Sequence, residues 1–235
     1  MTGVRIDFHT HILPGLDDGA RDVEMSALML KSLRDQGVER VVLTPHFYSD
    51  QQPVSSFIQE REEAFAHLSA AVDTTGLIVG SETYVTDYLF TNDSLEPLGI
   101  GSTRYILIEL PYHTHFSERT LSMIFRLNSD FGLKPILAHA ERYPYLCRHR
   151  ECLEMLIEEG CRIQVNAATF LSGGEKRLVL KWLEQGLVHL LGTDCHNLDS
   201  RPPKMGEAAR LIEKKLGPGT LESLNRQAEA ILSAN

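Results

Sequence analysis

Short β-type apolar runs alternate with stretches of helical period along the whole chain, and that alternation leaves few folds open. Runs of Val, Ile and Leu bounded by Gly, Pro or polar clusters predict seven buried strands. They lie at Val4–Phe8, Arg40–Thr44, Leu77–Gly80, Tyr105–Glu109, Pro135–Ala138, Arg162–Val165 and Val188–Gly192. Between them the spacing predicts helices over Val23–Gln36, Val54–Val72, Ser117–Phe131, Glu151–Glu159 and Glu175–Gln185, with two more from Lys204 onward. Strand and helix in turn imply an α/β fold with a parallel sheet and right-handed crossovers, either open and doubly wound or closed as a barrel. A chain of 235 residues with 43% hydrophobic content suits one compact domain over residues 1–235.

The residues that follow each strand carry the chemistry. The first strand runs into His9-Thr10-His11, the second into Pro45-His46, the third into Ser81-Glu82 and the fourth into Glu109-Leu110-Pro111. The fifth runs into His139-Ala140-Glu141-Arg142, the sixth into Asn166, and the seventh into Thr193-Asp194-Cys195-His196-Asn197. His9 and His11 share one side of an extended segment, since alternate residues point the same way. The Pro14-Gly15 break then lets Asp17-Asp18 return toward them. An isolated H-x-H is weak evidence. Imidazoles and carboxylates recurring where successive strands end are not, because a barrel gathers those ends on one rim where active sites form. An open sheet would string the same residues along an edge too long for one cluster, so the ligand pattern favours closure.

Several function classes fall away. No G-x-G-x-x-G or G-x-x-x-x-G-K-[ST] loop follows a strand, so nucleotide binding by those routes has no support. The formal net charge of −9 argues against a general nucleic-acid or anionic-membrane surface. No apolar run approaches the roughly 20 residues that span a bilayer. The 4 cysteines lack disulfide spacing, and the first residues lead into a strand rather than a secretory signal, so a cytoplasmic setting is expected. An anionic substrate stays open. Four carboxylates ligating three dications would leave a local charge of about +2, which welcomes phosphate. Mixed imidazole and carboxylate ligation suits Mn²⁺, Fe²⁺ or Zn²⁺.

The ordered set H-x-H, Asp-Asp-Gly, Pro-His, Glu, Glu-Leu-Pro, His-x-Glu-Arg and Asp-x-His-Asn resembles the polymerase and histidinol phosphatase superfamily, from Ile6 to about Gly206. More narrowly it is similar to the bacterial manganese-dependent protein-tyrosine phosphatases encoded with capsular and exopolysaccharide synthesis functions. That resemblance implies a distorted seven-stranded (β/α)7 barrel holding three divalent metal ions, Mn first and Fe or Zn as alternatives. Carried over by position, His9, His11, Glu82 and Asp194 would hold one ion. Glu82 would bridge to a second held also by Glu109 and His139, and Asp18, His46 and His196 would hold the third. Asp17 competes with Asp18 for that role, and Asp18 is chosen because its distance from the histidine pair fits the family pattern. The implied reaction is in-line attack on phosphorus by a metal-activated water. Arg142 and Arg201 are the candidates for gripping the phosphoryl oxygens, since a guanidinium fork matches two of them at once. For the leaving group, His196 or a metal-bound water is the candidate acid. The implied substrate is a phosphotyrosine protein, specifically the tail of a membrane-associated bacterial tyrosine kinase.

Other readings compete. Cys195 to Arg201 fits C-x₅-R, the skeleton of thiol-dependent tyrosine phosphatases, but it holds no glycine to aim amides at phosphate and Pro202-Pro203 follows it. A histidinol-phosphate or other small phosphomonoesterase would share the metal set. A non-catalytic metal-binding regulatory module is disfavoured, because three ions sharing nine side chains leave positions open to water. His113 and His115 are expected on the rim without a ligand role, His67 and His149 at solvated positions, and His189 in a strand. Phe47, Tyr48, Tyr88, Phe90, Tyr112 and Phe116 are the aromatic residues available to border an aryl pocket.

Overall fold

A computed structural model describes residues 3–171 and 174–234 of the chain. Its strands are β1 (Ile6–Thr10), β2 (Arg40–Leu43), β3 (His46–Tyr48), β4 (Leu77–Val79), β5 (Glu82–Tyr84), β6 (Tyr105–Glu109), β7 (Lys134–Leu137), β8 (Arg162–Asn166) and β9 (Leu190–Gly192). The helices are α1 (Val23–Asp35), α2 (Val54–Ser69), α3 (Glu118–Phe131), α4 (Pro144–Arg148), α5 (Arg150–Glu158), α6 (Lys176–Glu184), α7 (Met205–Leu216) and α8 (Pro218–Leu232). Two parallel sheets result, ordered β1-β2-β4 and β3-β5-β6-β7-β8-β9. None of the described helices is long and apolar enough to cross a membrane.

The seven predicted strands therefore become nine, because two of them break and change sheet. Between β2 and β3 stands Thr44-Pro45, and a proline has no N–H to give a ladder. Between β4 and β5 stands Gly80-Ser81, where a Cβ on Gly80 would press on Ile100 at 3.2 Å. The pairing runs on across both breaks, with Gly80 N donating to Leu43 O and Glu82 N to Pro45 O, both at 2.9 Å. At the other edge Asp194 N donates to His9 O at 2.7 Å and His11 N to Cys195 O at 3.0 Å, so β1 is tied to the segment leaving β9. The stretches after the two breaks carry His46 and Glu82. Sequence periodicity missed β3 and β5 because three-residue strands are too short to show a period.

β1 also starts two residues later than its apolar run suggests, and it is irregular. Asp7 pairs with Val41 but Thr10 with Leu43, so three steps on β1 oppose two on β2. Such a bulge re-aims side chains, and here it separates the apolar start of the strand, Ile6 and Phe8, from the histidines that follow. Ile6 and Phe8 pack with Val42, Leu107, Ile136 and Leu190 between the two sheets, and Ala228 and Ile231 of α8 close that cluster. The opposite faces of the strands, such as Val41, Ile106, Ile108, Leu137 and Leu191, meet the helices in a larger core.

Helix ends follow the local chemistry. Asp22 caps α1 by accepting from Met25 N at 2.8 Å, and Gly132 ends α3 in the left-handed region at φ 65°. Pro218 opens α8, where its missing N–H costs nothing.

Gly192 shows how tightly the strand ends are packed. A Cβ there would stand 2.4 Å from His9 Cβ and 2.8 Å from Gln164 Nε2. Gly192→Ala should therefore lower unfolding stability by about 1–3 kcal/mol, the range for overpacked cores, read as a lower urea midpoint at unchanged slope. A midpoint equal to that of the unaltered protein would contradict this packing.

Candidate metal centre

The nine residues expected as ligands lie together. Groups of donor atoms within 4.8 Å of one another are formed by His11, Asp18, His46 and His196, by His9, His11 and Asp194, by His9, Glu82 and His139, and by His46, Glu82 and Glu109. The groups overlap more than three separate cages would, since His11 reaches both Asp194 and the His46–His196 side. Each group can hold a divalent cation. The cluster contains five imidazoles and four carboxylates and no thiolate.

Tautomers set the electrostatics. His11 Nδ1 lies 2.7 Å from Asp17 Oδ2, and His9 Nδ1 lies 3.2 Å from Gln164 Oε1, so both imidazoles carry their proton on the outer nitrogen. Their Nε2 lone pairs then face each other at 3.0 Å. Glu82 Oε2 sits among the same atoms, 3.0 Å from His9 Nε2, 3.3 Å from His11 Nε2 and 3.0 Å from His46 Nδ1, yet it has no hydrogen bond. His46 Nδ1 and His196 Nε2 are likewise buried without a hydrogen-bond partner. Lone pairs aimed at lone pairs in a buried site repel unless positive charge sits between them, so this donor set fits bound cations. The carboxylates' demand for positive charge also shows in the titration of His11, where a proton on Nε2 competes with a cation for the same lone pair. Burial alone would push His11 down, but Asp17, Asp194 and Glu82 together hold it well above its usual value. Glu109 is raised, first by burial and then by the charge of Glu82.

The two aspartates of the Asp17-Asp18 pair divide their work. Asp17 is buried behind His11 and also accepts from Gly19 N at 2.9 Å and His46 N at 3.0 Å. Asp18 is exposed on the other side, with Oδ1 3.2 Å from His196 Nε2 and 3.6 Å from His46 Nε2. The turn that permits this needs Gly19, whose added Cβ would strike His11 O at 2.1 Å. Asp17 thus orients a histidine from behind, a role the spacing alone did not distinguish.

Two members of the cluster hold left-handed backbone, His139 at φ 33° and Asp194 at φ 52°. Non-glycine residues there cost on the order of 1–3 kcal/mol each and persist only where surroundings enforce them. Asp194 is fixed from both ends. Its Oδ1 faces His9 and His11 Nε2 at 3.5 and 3.4 Å. Its Oδ2 accepts from Arg201 Nη2 at 2.7 Å and Asn166 Nδ2 at 2.9 Å and forms an ion pair with Arg142 Nη2 at 2.8 Å.

Both arginines line an open cavity of about 620 Å³. Its walls include Asp18, His46, Glu82, Glu109, His139 and Asp194, with Tyr48, Tyr84 and Tyr112 as aromatic sides. Tyr48 and Tyr112 were expected there; Tyr84 was missed with its strand β5. Phe47 and Phe116 do not border it, because both are buried, Phe47 against Phe57 and Phe116 against Tyr143. Phe90 packs under Arg126 and beside Phe131, and Tyr88 stands in solvent. His113 sits on the rim, His115 packs edge-on against Tyr145, and His189 Nδ1 accepts from Ile163 N at 3.1 Å. His196 does not line the cavity; its Nδ1 is 3.0 Å from Asp194 O and its Nε2 faces Asp18.

The thiol alternative fails on geometry. Cys195 is fully buried, and burial pushes its pKa far above the ordinary thiol range. Five amides of its loop are already used: Asp199, Ser200 and Arg201 N donate to Asn197 Oδ1, while His196 and Asn197 N donate to Arg201 O. The loop therefore has no run of free amides to cradle a phosphate.

Comparison with known proteins matches this architecture. The chain is 35% identical over 229 residues to the tyrosine-protein phosphatase CpsB of Streptococcus pneumoniae, covering 90% of this chain and 91% of that protein. It is 27% identical to the tyrosine-protein phosphatase YwqE of Bacillus subtilis, over 97% of this chain and 91% of that one. A crystal structure described as YwqE from Bacillus subtilis and CpsB from Streptococcus pneumoniae, metal-dependent tyrosine phosphatases, superposes with a TM-score of 0.83 at 26% identity, covering 97% of this chain and 94% of the other. A family model for capsular polysaccharide synthesis, CpsB/CapC, matches residues 5–233, and the chain belongs to that family.

Proposed function

We propose that this protein is a metal-dependent protein-tyrosine phosphatase that hydrolyses phosphotyrosine on a protein substrate of capsule or exopolysaccharide synthesis. The tail of a membrane-associated bacterial tyrosine kinase is the substrate we favour. The observation that carries the reading is Glu82 Oε2, ringed by three imidazole nitrogens and without a hydrogen bond. The relatives' names and the metal-dependent structural match support the activity.

His9, His11, Asp18, His46, Glu82, Glu109, His139, Asp194 and His196 are the residues that would hold three dications, Mn²⁺ first. When bound, such ions supply a hydroxide at neutral pH and neutralise charge on the phosphoryl group. The chain's own residues do the rest. Glu82 is central, because its Oε1 faces His139 Nε2 at 2.9 Å while its Oε2 faces three other imidazoles, so this carboxylate would offer an oxygen to more than one donor group. Arg142 and Arg201 grip the non-bridging phosphoryl oxygens; both reach the cavity and both are held by one carboxylate oxygen, which pre-aims them. Tyr48, Tyr84 and Tyr112 flank the phenyl ring. Burial first, then Glu109, raises the phenols of all three, so they stay neutral beside the anionic cluster. The hydrogen-bonded ring of strands supports a closed, distorted seven-stranded barrel in which each broken strand counts once, with the cluster at its carboxyl-end rim.

Purified protein stripped with a chelator should lose hydrolysis of a phosphotyrosine peptide and regain it on adding Mn²⁺, with little turnover of histidinol phosphate. Preference for histidinol phosphate would replace the protein substrate with a small one, and full activity in chelator would end the metal reading. Arg142→Ala and Arg201→Ala should each lower kcat/KM on the peptide by on the order of 10²-fold. Their combined loss should fall short of the product, since they share Asp194. Steady-state kinetics with unchanged values would remove them from phosphate binding. Cys195→Ser should keep activity near that of the unaltered protein while Glu82→Ala abolishes it, and the reverse outcome would restore the thiol mechanism.

A further inference from the structure

Strand β8 places no donor in the nine-residue cluster, yet its polar residues touch three members of it. Gln164 is fully buried, and its Oε1 accepts from His139 N at 2.7 Å and lies 3.2 Å from His9 Nδ1. Gln164 Nε2 donates to Asn166 Oδ1 at 2.9 Å, and Asn166 Nδ2 donates to Asp194 Oδ2 at 2.9 Å. Asn166 N is anchored in turn on Glu141 Oε1 at 2.9 Å.

The direction of this chain of amides is fixed by one backbone group. His139 N–H can only donate, so the atom against it is the Gln164 oxygen. Its NH₂ therefore points to Asn166, whose oxygen must face it, and whose own NH₂ must point to Asp194. Two consequences reach the cluster. His9 has to carry its proton on Nδ1, which leaves the Nε2 lone pair toward Glu82, His11 and Asp194. Asp194 has to present Oδ1 to the histidines, because Oδ2 is occupied by Asn166 and the two arginines. The two residues held in left-handed backbone, His139 and Asp194, are the two that the relay grips at N–H and carboxylate.

We propose that Gln164 and Asn166 are positioning residues that act as one directional amide relay, setting the His9 tautomer and the facing of Asp194 and so raising the affinity of the cluster for divalent metal. The proposal rests on the metal reading given above. Outer partners of metal ligands typically govern affinity by roughly 10–100-fold.

Titration calorimetry of Mn²⁺ into chelator-stripped protein tests it. The unaltered protein should bind Mn²⁺. Gln164→Met, of similar volume and without the acceptor, should bind it roughly 10–100-fold more weakly. Gln164→Glu restores an oxygen for His9 Nδ1 and His139 N but loses the NH₂ that Asn166 Oδ1 accepts, so it should bind more tightly than Gln164→Met and less tightly than the unaltered protein. A mere packing role predicts the opposite order, because methionine suits a fully buried position better than a carboxylate does. Asn166→Ala should also weaken binding and serves where Gln164→Met does not fold. At saturating Mn²⁺ the KM for a phosphotyrosine peptide should match that of the unaltered protein. Affinity in Asn166→Ala equal to the original, or Gln164→Met binding as tightly as Gln164→Glu, would overturn the relay. Absence of Mn²⁺ binding by the unaltered protein would overturn the metal reading and the relay with it.

Discussion

Buried carboxylates and imidazoles that point lone pairs at one another are the constraint around which the rest of the molecule is arranged. His9 and His11 Nε2 stand 3.0 Å apart with Glu82 Oε2 between them and His46, an arrangement that is favourable only with positive charge, a proton or a cation, between the atoms. Without that charge it costs desolvation and gains only repulsion. With cations each of these contacts changes sign. Stability and chemistry would then be the same problem in this fold, since ions bound in the cluster would both join the strand ends and face the open cavity.

The backbone bends to meet that demand. β1 carries a bulge between Asp7 and Thr10, β2 and β4 break and resume in the second sheet, and His139 and Asp194 hold left-handed angles. Each irregularity lies next to a residue of the cluster. Buried polar side chains that make no chemistry secure these bends. Asp7 accepts from Thr193 N at 2.9 Å and Thr193 Oγ1 at 2.6 Å, tying β1 to the segment that carries Asp194. Burial lifts the Asp7 carboxyl to about 6 despite those bonds. Arg61 donates to Gly80 O at 2.9 Å, at the break that precedes Glu82. The regular parts, the α-helices and the apolar cluster closed by α8, provide a rigid frame against which these local departures can be held.

Much of this was legible in the sequence, for identifiable reasons. Strands buried on both faces read as continuous apolar runs, and helices such as α1 and α3 carry their caps, Asp22 and Ser117, in the sequence. Ligand types stood out because histidines and carboxylates recurred at strand ends. What was not legible depends on contacts between distant segments. The bulge in β1 is defined by its register against β2, and β3 and β5 are too short to show a period. Asp17 and Asp18 look alike until the loop closes and buries one of them. Phe47 and Phe116 follow strands as Tyr48 and Tyr112 do, but they face the core. Gln164 offered no signal, because a lone glutamine in a strand carries its meaning only in what it touches.

Anomalous diffraction from crystals grown with Mn²⁺, with data collected on both sides of the manganese absorption edge, would locate the cations without reference to activity. Peaks should fall among the side chains of His9, His11, Asp18, His46, Glu82, Glu109, His139, Asp194 and His196, with Glu82 touching more than one of them. A map with no peak inside that ring, or with manganese bound only elsewhere on the surface, would contradict the reading of these nine side chains as a metal centre.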